Sequence, residues 1–313
     1  MGLTSFPNGI ASFGIPVYGS QSDGQPLVGT VLFVDTVNGV NAGSGNSPNA
    51  PYQTIAYALT QIPSGAYATI FVLPGSTTTI SSATALLLNV ANVKLIALGV
   101  GNQRAVFDFT TANTATIPVS AANVTLQNFR FTANFLSIAA ALTVTAAGLN
   151  LIGNTFTDRS GVLNFLSIVN ASGAANTADR LTAINNTWNG LGTTSVTSFI
   201  VTANDIDSAV LQGNSIKLAR TATAAILMTV TAGVLTNLLC TDNSTISAQT
   251  ADTGGGFISV GGTTSTGLVA RNYLADLAAT DLFMTTSVGV RFFNNYKTGV
   301  LGASGYLLPA ADS

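Results

Sequence analysis

Two aspartates have the spacing that carbohydrate chemistry would need. Asp179 and Asp207 each stand seven residues before an asparagine, Asn186 and Asn214, and these asparagines occupy the same position in a repeated motif. If the repeats stack as neighbouring strands, the two carboxyl groups lie about 5 Å apart. Glycosidases use two carboxyl groups at about 5 to 9.5 Å from each other. Asp179 and Asp207 are therefore the candidate catalytic residues if the chain is an enzyme.

The aligned column does not extend this pair into a larger acidic cluster. Its next positions are Thr236 and Ser265, so no third carboxylate follows. Asp205 and Asp207 could together contact Ca²⁺, but this stretch lacks the remaining ligands of a calcium loop. Both candidate aspartates lie among Asn, Thr and Ser residues, a setting typical of solvated turns. We therefore favour two turn aspartates over a catalytic pair, and we expect no metal and no cofactor.

The composition excludes several other kinds of site. The 313 residues include 10 basic and 12 acidic side chains, every acid is an aspartate, and there is no histidine. A histidine-based triad or metal centre is therefore excluded. A pI of 4.8 argues against nucleic-acid binding. Cys240 is the single cysteine, so no disulfide forms within the chain, and its apolar column predicts a buried side chain.

The basic residues supply no partner for the aspartates. The arginines of the repeat region fall in at least five different aligned columns, so no column stacks one arginine on another or on the aspartate pair. Asp158 with Arg159, and Asp179 with Arg180, are expected to be local surface pairs. Such exposed pairs contribute little to stability.

An internal repeat organises the chain. Seven eight-residue segments align with a mean spacing of roughly 28 residues, a pattern typical of stacked repeats. Their sixth column contains one phenylalanine and then six asparagines: Phe129, Asn154, Asn186, Asn214, Asn243, Asn272 and Asn295. The first and third columns are almost entirely apolar, which is the period of a strand with one buried face.

The repeat also predicts a corner. The eighth column is mostly apolar, like the third, but the two columns are an odd number of residues apart. A straight strand would place them on opposite faces, so the chain must bend between them. We expect the bend at the asparagine column, because asparagine tolerates left-handed backbone angles.

A second strand-like run follows in most repeats, for example at 142–145, 199–202 and 257–260. Each unit therefore contains several short strands joined by polar corners, and the units stack as coils about 4.8 Å apart. The predicted fold class is all-β, a right-handed, single-stranded parallel β-helix. The uncharged run 221–240 belongs to this repeat, so we interpret it as strands and expect no membrane segment.

The stacked asparagines resemble the asparagine ladder of the pectate-lyase-like β-helix superfamily. The segments 31–35, 38–46 and 51–59 resemble the strand, glycine loop and short capping helix that open many of these proteins. The resemblance covers roughly residues 30 to 300. It implies the fold but no single function, because this fold hosts lyases, hydrolases, adhesins and viral structural proteins. The opening stretch 6–14 is similar to bacteriophage proteins encoded beside capsid genes.

The sequence divides into four parts. Residues 1–30 contain three prolines and several glycines and are expected to form an extended N-terminal arm. Residues 31–66 hold the opening strand, the glycine loop and the capping helix. The parallel β-helix occupies 67–300, and 301–313 form a C-terminal tail.

Outward positions of the repeat are unusually apolar. They form a candidate interface stripe along the rod: Ile152, Ile184, Val210, Leu239, Leu268 and Phe293. Soluble proteins seldom expose such a stripe, so either another subunit or a segment of the same chain is expected to cover it. We favour a subunit interface. Tyr273 and Tyr296 share the seventh column on adjacent coils and could anchor an interface or contact a sugar.

These observations predict a bacteriophage virion protein that is not an enzyme. It would be a capsid decoration protein, a homotrimer packed through the stripe, and its partner would be the major capsid protein. It would be made in the host cytoplasm and would bind neither nucleic acid nor membrane. A tail spike or fibre that binds host polysaccharide, with or without cleaving it, is the first alternative. A free polysaccharide lyase or hydrolase using Asp179 and Asp207 is the second.

Overall fold

The structure is a computed structural model. It describes residues 29–192, 198–218, 225–247, 256–275, 284 and 288–298, together with the backbone of Ala11–Ser12, Ile15–Pro16 and Gly305–Tyr306. Within these residues the regular secondary structure is almost entirely short strands, with one α-helix, Ile55–Thr60, and one 3-10 turn, Gly101–Gln103. The strands form long parallel ladders. The expected all-β parallel β-helix with a short capping helix is thus confirmed.

Sheet 1 is the longest all-parallel sheet of the β-helix. Its ten strands are all parallel and run in chain order. They are Thr30–Val34, Ala68–Val72, Val93–Ala97, Thr125–Gln127, Asn150–Ile152, Thr182–Ile184, Val210–Gln212, Leu238–Thr241, Gly267–Ala270 and Val290–Phe293.

Sheet 2 follows sheet 1 around the corner. Nine of its strands are parallel, and a tenth, Gly305–Tyr306, pairs antiparallel at the C-terminal end. The parallel strands are Thr77–Ile80, Val106–Phe109, Arg130–Ala133, Thr155–Asp158, Thr187–Asn189, Ser215–Leu218, Ser244–Ser247, Tyr273–Ala275 and Tyr296–Thr298.

Sheet 3 forms the third side of six coils and has six parallel strands, one from each coil. They are Ile117–Val119, Leu142–Val144, Val169–Ala171, Ile200–Thr202, Met228–Val230 and Ile258–Val260. A small parallel pair, Ile206–Asp207 with Leu235–Thr236, lies between sheets 3 and 1 in the chain. Ala11–Ser12 pairs antiparallel with Ile15–Pro16.

The corner between sheets 1 and 2 is formed one residue earlier than expected. The left-handed residue is the one before Phe129 and before each of the six asparagines of the sixth column. These residues are Asn128, Gly153, Asn185, Gly213, Asp242, Arg271 and Asn294, and their φ angles lie between 48° and 64°. The expectation that the ladder asparagines themselves adopt left-handed angles was therefore wrong. At the left-handed residue, the alternation of inward and outward side chains shifts by one position. The asparagine that follows therefore points into the core.

The six asparagines form a buried hydrogen-bonded column, which we call the ladder. Asn214 shows the pattern: its Oδ1 accepts from the backbone N–H and the Nδ2 of Asn186, both at 3.0 Å. Its own Nδ2 donates to Oδ1 of Asn243 and to the carbonyl of Ala183, both at 2.8 Å. Equivalent bonds run from Asn154 to Asn295. Each amide from Asn154 to Asn272 thus joins three successive coils, and all six asparagines are only 1% exposed.

Aromatic rings fill the first half of the core. Phe107, Phe131 and Phe156 occupy one inward column of sheet 2, and their centroids are 5.0 and 4.5 Å apart. Trp188 follows in the same register and is completely buried. The apolar core therefore has the same arrangement as the asparagine ladder: similar side chains stack at equivalent positions on successive coils.

The helix Ile55–Thr60 packs against the first two strands of sheet 1. Its N-cap is Thr54, whose hydroxyl accepts the backbone N–H of Tyr57 at 3.1 Å and so satisfies a free helix N–H. Ile55, Ala58 and Leu59 are buried in the same core as the strands. The predicted arm and tail lie largely outside the described residues, so the proposed domain limits stay a prediction.

The ladder predicts a large, position-specific loss of stability. Asn214→Ala removes an acceptor and a donor from the buried column and leaves the N–H of Asn186 and the carbonyl of Ala183 without partners. Each buried unsatisfied group costs about 1–3 kcal/mol, so we expect a loss of roughly 2–5 kcal/mol in urea unfolding. Asn189→Ala, at an exposed position of sheet 2, is the control and should change the free energy by less than about 0.5 kcal/mol. Equal losses in the two variants would contradict the ladder's role.

Candidate functional site

Asp179 and Asp207 lie on adjacent coils, but both carboxylates already accept hydrogen bonds from neighbouring coils. One oxygen of Asp179 accepts the backbone N–H of Asp207 at 2.8 Å. The carbonyl of Asp207 in turn accepts the N–H of Arg180 at 2.8 Å. The pair therefore joins one coil to the next where few sheet hydrogen bonds are available.

Asp207 passes the same connection to the following coil. Its Oδ1 accepts from the hydroxyl of Thr236 and from Nδ2 of Asn237, both at 2.8 Å. These hydrogen bonds, with the one from Thr236 the stronger, hold the pKa of Asp207 below its usual range. A glycosidase acid needs a raised pKa, so Asp207 is poorly suited to donate a proton.

The neighbouring polar residues also serve the backbone. Asp205 accepts the N–H of Val234 at 2.8 Å, and the hydroxyl of Ser265 accepts that of Leu235 at 3.0 Å. Within the part of the chain that the structure describes, no group of three or more Cys or Asp side chains is placed to hold a metal. The aspartates at this corner act as hydrogen-bond acceptors between coils.

The ion pairing differs from the expected local pairs. Arg271 forms two hydrogen bonds with Asp242 on the preceding coil, at 2.7 and 2.8 Å. Asp158 is buried and does not pair with Arg159, which donates to Asn134 at 3.0 Å instead. The expectation of a surface pair between Asp158 and Arg159 was wrong because strand parity turns Asp158 inward.

All six residues of the candidate stripe lie on the outer face of sheet 1, but in two columns. Ile152 and Ile184 are register neighbours, and the next residue in their column is Gln212. The second column runs through Val210, Leu239 and Leu268. Phe293 follows Ala270 in the first column. The stripe is therefore a band that moves to the neighbouring column at Val210 and returns at Phe293, as the second and fourth positions of the repeat predict.

Exposure within this band rises toward the C-terminal coils. Ile152, Ile184 and Val210 are half-buried. Leu239 and Leu268 are 37% and 36% exposed, and Phe293 is 60% exposed. We call these last three residues the apolar patch. It is the part of the band where large apolar side chains face solvent in the described chain.

Tyr273 and Tyr296 stand beside the patch, on the outer face of sheet 2. They are register neighbours with parallel rings whose centroids are 5.7 Å apart. The hydroxyl of Tyr273 lies 3.0 Å from that of Thr298. The pair extends the aromatic and apolar surface around the corner.

A cavity of about 700 Å³ lies between the capping helix and the segment 84–91. Its lining includes Ala56, Leu59, Leu87 and Val90 and contains no titratable side chain. Its hydroxyl groups, such as that of Ser64, therefore have no acid or base beside them in the lining. No helix among the described residues has the length and apolarity needed to cross a membrane.

Asp158 is the unusual carboxyl group that the sequence reasoning missed. It is 2% exposed, and it accepts backbone N–H groups from Phe165 at 3.0 Å and Leu191 at 2.8 Å. Burial raises its pKa to about 6, and these hydrogen bonds offset the effect only in part. The indole of Trp188 lies near enough to lower the pKa further, but its Nε1 makes no hydrogen bond of normal geometry.

This carboxyl group is structural, because a substrate has no access to it. It ties the loop after its own strand to the corner at 190–192 on the next coil. The signal was present in the sequence. Asp158 follows the inward Phe156 by two residues, so both side chains share one face of the strand.

The raised pKa predicts a stability that falls as the pH rises. The folded chain holds the Asp158 proton up to about pH 6, whereas an unfolded aspartate releases it near about pH 3.9. The free energy of unfolding should therefore drop by roughly 2–3 kcal/mol between about pH 4 and pH 7. Asp158→Asn should flatten this slope in thermal melts or urea titrations.

Asp242→Asn is the control for this experiment. The hydrogen bond from Arg271 lowers the pKa of Asp242, so its titration lies below the tested range. Its variant should keep the wild-type slope. An unchanged slope in Asp158→Asn would contradict a buried carboxyl that titrates near pH 6.

The chain matches no protein-family profile and no curated protein. Among solved structures, it is similar to a rhamnogalacturonan lyase, with 11% identity over 90% of each chain and a TM-score of 0.42. A pectate lyase has 12% identity over 88% of this chain and 78% of its own, with a TM-score of 0.42. A lacto-N-biosidase from Eubacterium ramulus has 9% identity over 86% and 68%, with a TM-score of 0.38. At such identities the likeness concerns the fold alone.

Proposed function

We propose that this chain is a non-enzymatic structural protein of a bacteriophage virion, a capsid decoration protein. It assembles as a homotrimer through the outer face of sheet 1 and binds the major capsid protein. It uses no cofactor, and its work is mechanical: a rigid rod stabilises neighbouring shell subunits through buried apolar area.

The apolar patch is the observation that carries this proposal. Leu239 and Leu268 are direct register neighbours. Phe293 lies one coil further on the same face, in the neighbouring column, and the exposed Arg291 continues the column of the two leucines. A β-helix offers many outward positions that tolerate Thr or Ser, so large apolar residues there lack a folding reason. Contiguous exposed apolar side chains typically mark interaction sites.

The chemistry of the described residues supports binding over catalysis. Asp179 and Asp207 are engaged with the backbone, and the pKa of Asp207 is lowered. Asp158 has a raised pKa but is buried. The virion part of the proposal is supported by the sequence alone, through the similarity of segment 6–14 to phage proteins.

Association through the patch is tested by Phe293→Asp. We expect the wild-type chain to have a mass of about 95 kDa in light scattering, three times 31.7 kDa. Phe293→Asp should shift it to the monomer mass, because a charge buried without a partner at an interface is costly. Val162→Asp is the matched control, since Val162 is also 60% exposed but lies in the loop after the sheet 2 strand Thr155–Asp158. A wild-type monomer would overturn the trimer, and dissociation by both variants would overturn the assignment to this patch.

The virion role is tested by copy number. Mass spectrometry of purified particles should find this chain at a copy number comparable to that of the major capsid protein. A handful of copies would contradict decoration and favour the tail-spike alternative, in which the Tyr273–Tyr296 pair would contact host polysaccharide. Absence from the particles would overturn both virion roles and leave the polysaccharide lyase or hydrolase hypothesis.

A further inference from the structure

Two arginines meet at the corner between sheets 1 and 2, near the N-terminal end of the rod. Arg130 begins the sheet 2 strand Arg130–Ala133, and Arg104 lies two residues before the preceding strand, Val106–Phe109. Both side chains are half-buried. This corner is distant in sequence from the apolar patch and from the candidate aspartates.

Arg104 lies across the coil that contains Arg130. Its Nη2 donates to the hydroxyl of Thr155 at 2.8 Å, and its Nη1 approaches the carbonyl of Gly153 at 3.4 Å. Thr155 is the register neighbour of Arg130 on the following strand. The Arg104 side chain therefore spans two strand spacings and passes beside Arg130.

The two positive charges are not compensated. Neither guanidinium forms an ion pair with any residue that the structure describes; Arg271 with Asp242 shows what such a pair looks like in this fold. Burial, and then repulsion from Arg130, lowers the pKa of Arg104. Two adjacent arginines with no acid between them raise the energy of the isolated chain, and an anion would lower it.

The hydrogen bonding of the corner is also incomplete. Arg130 has five N–H groups, and one bond is found in the described chain, from Nη1 to Oδ1 of Asn102 at 3.1 Å. Its Nε is buried without a partner. Buried polar atoms without partners are uncommon, so this N–H marks a place where an acceptor is missing.

We propose that Arg104 and Arg130 form a binding site for an oxyanion, a carboxylate or sulfate group carried by a ligand or partner. Two guanidinium groups suit an anion with at least two oxygens: Arg130 can donate through its planar fork, and Arg104, which already donates to Gly101, Gly153 and Thr155, adds its remaining N–H groups and its charge. The amide of Asn102 and the hydroxyl of Thr155 border the site and can add neutral hydrogen bonds. This inference is independent of the proposed function.

Inorganic sulfate is the probe, and Arg130→Gln is the decisive variant. Sulfate should raise the melting temperature of the wild-type protein with a saturable dependence at constant ionic strength. Arg130→Gln should weaken apparent sulfate binding by about tenfold or more, the effect of losing one charged hydrogen-bond donor. Arg130→Lys keeps the charge but loses the fork, so an intermediate loss is expected.

Arg271→Gln is the matched control, because it removes the same charge from an arginine that Asp242 already neutralises. It should bind sulfate like the wild type. Without sulfate at low salt, Arg130→Gln should be as stable as the wild type or more so, since it relieves the repulsion. A variant that fails to fold is replaced by Arg104→Lys, for which weaker sulfate binding is again expected.

Three added anions separate specific binding from a general salt effect. Sulfate and acetate should both act through Arg130, and chloride at equal ionic strength should not. Saturable stabilisation by acetate would point to a carboxylate as the natural group, and stabilisation by sulfate alone would point to a sulfate ester. An identical response of the wild type, Arg130→Gln and Arg271→Gln to sulfate would overturn the site.

Discussion

The hydrogen bonds of the buried asparagine ladder are the constraint on which the rest of the structure depends. Turning the chain from sheet 1 into sheet 2 interrupts both sheets and leaves backbone groups inside the protein. Each ladder amide supplies the missing partners, accepting the N–H of the preceding ladder residue and donating to a carbonyl such as that of Ala183. Because one amide reaches three coils, the coils are held in register, and every outward or inward column follows from that register.

Because the coils are in register, the outward side chains form columns along the surface. A distinct surface feature forms where two neighbouring side chains in a column interact. Leu239 above Leu268 gives an apolar patch, Asp242 above Arg271 gives a neutral ion pair, and Tyr273 above Tyr296 gives a ring stack. Each pair is spaced by one strand, about 4.8 Å. A single substitution on one coil is therefore sufficient to create or remove a two-residue surface feature without disturbing the core.

Much of this fold could be predicted from the sequence, because the apolar columns and the asparagine column have the periods of stacked strands. The left-handed position could have been found as well, since Asn128, Gly153 and Gly213 precede the ladder and are types that tolerate such angles. The pattern is less clear because Arg271, a residue type that rarely adopts left-handed angles, occupies the same column. The two columns of the apolar band follow from the alignment, because its residues are second and fourth positions of the repeat. The rise in exposure toward Phe293 could not be predicted, because it depends on how neighbouring segments pack. Nor could the meeting of Arg104 with Arg130, since Arg104 comes from an irregular corner segment outside the aligned repeat.

The role of the corner aspartates changes how function should be inferred from such a chain. At a corner where strand pairing is short, some backbone N–H groups still need acceptors, and Asp179, Asp205 and Ser265 all meet that need. Two stacked carboxylates in this fold are therefore better explained by hydrogen bonding between coils than by catalysis.

Functional residues are better sought among side chains whose charge or apolar surface has no partner among the described residues. The unpaired arginines and the apolar patch are of that kind, and both flank the corner between sheets 1 and 2. Six strand spacings separate the coil of Arg130 from that of Phe293, about 29 Å. A single partner that touches both must therefore run along the rod, which favours an extended binding surface over a compact site.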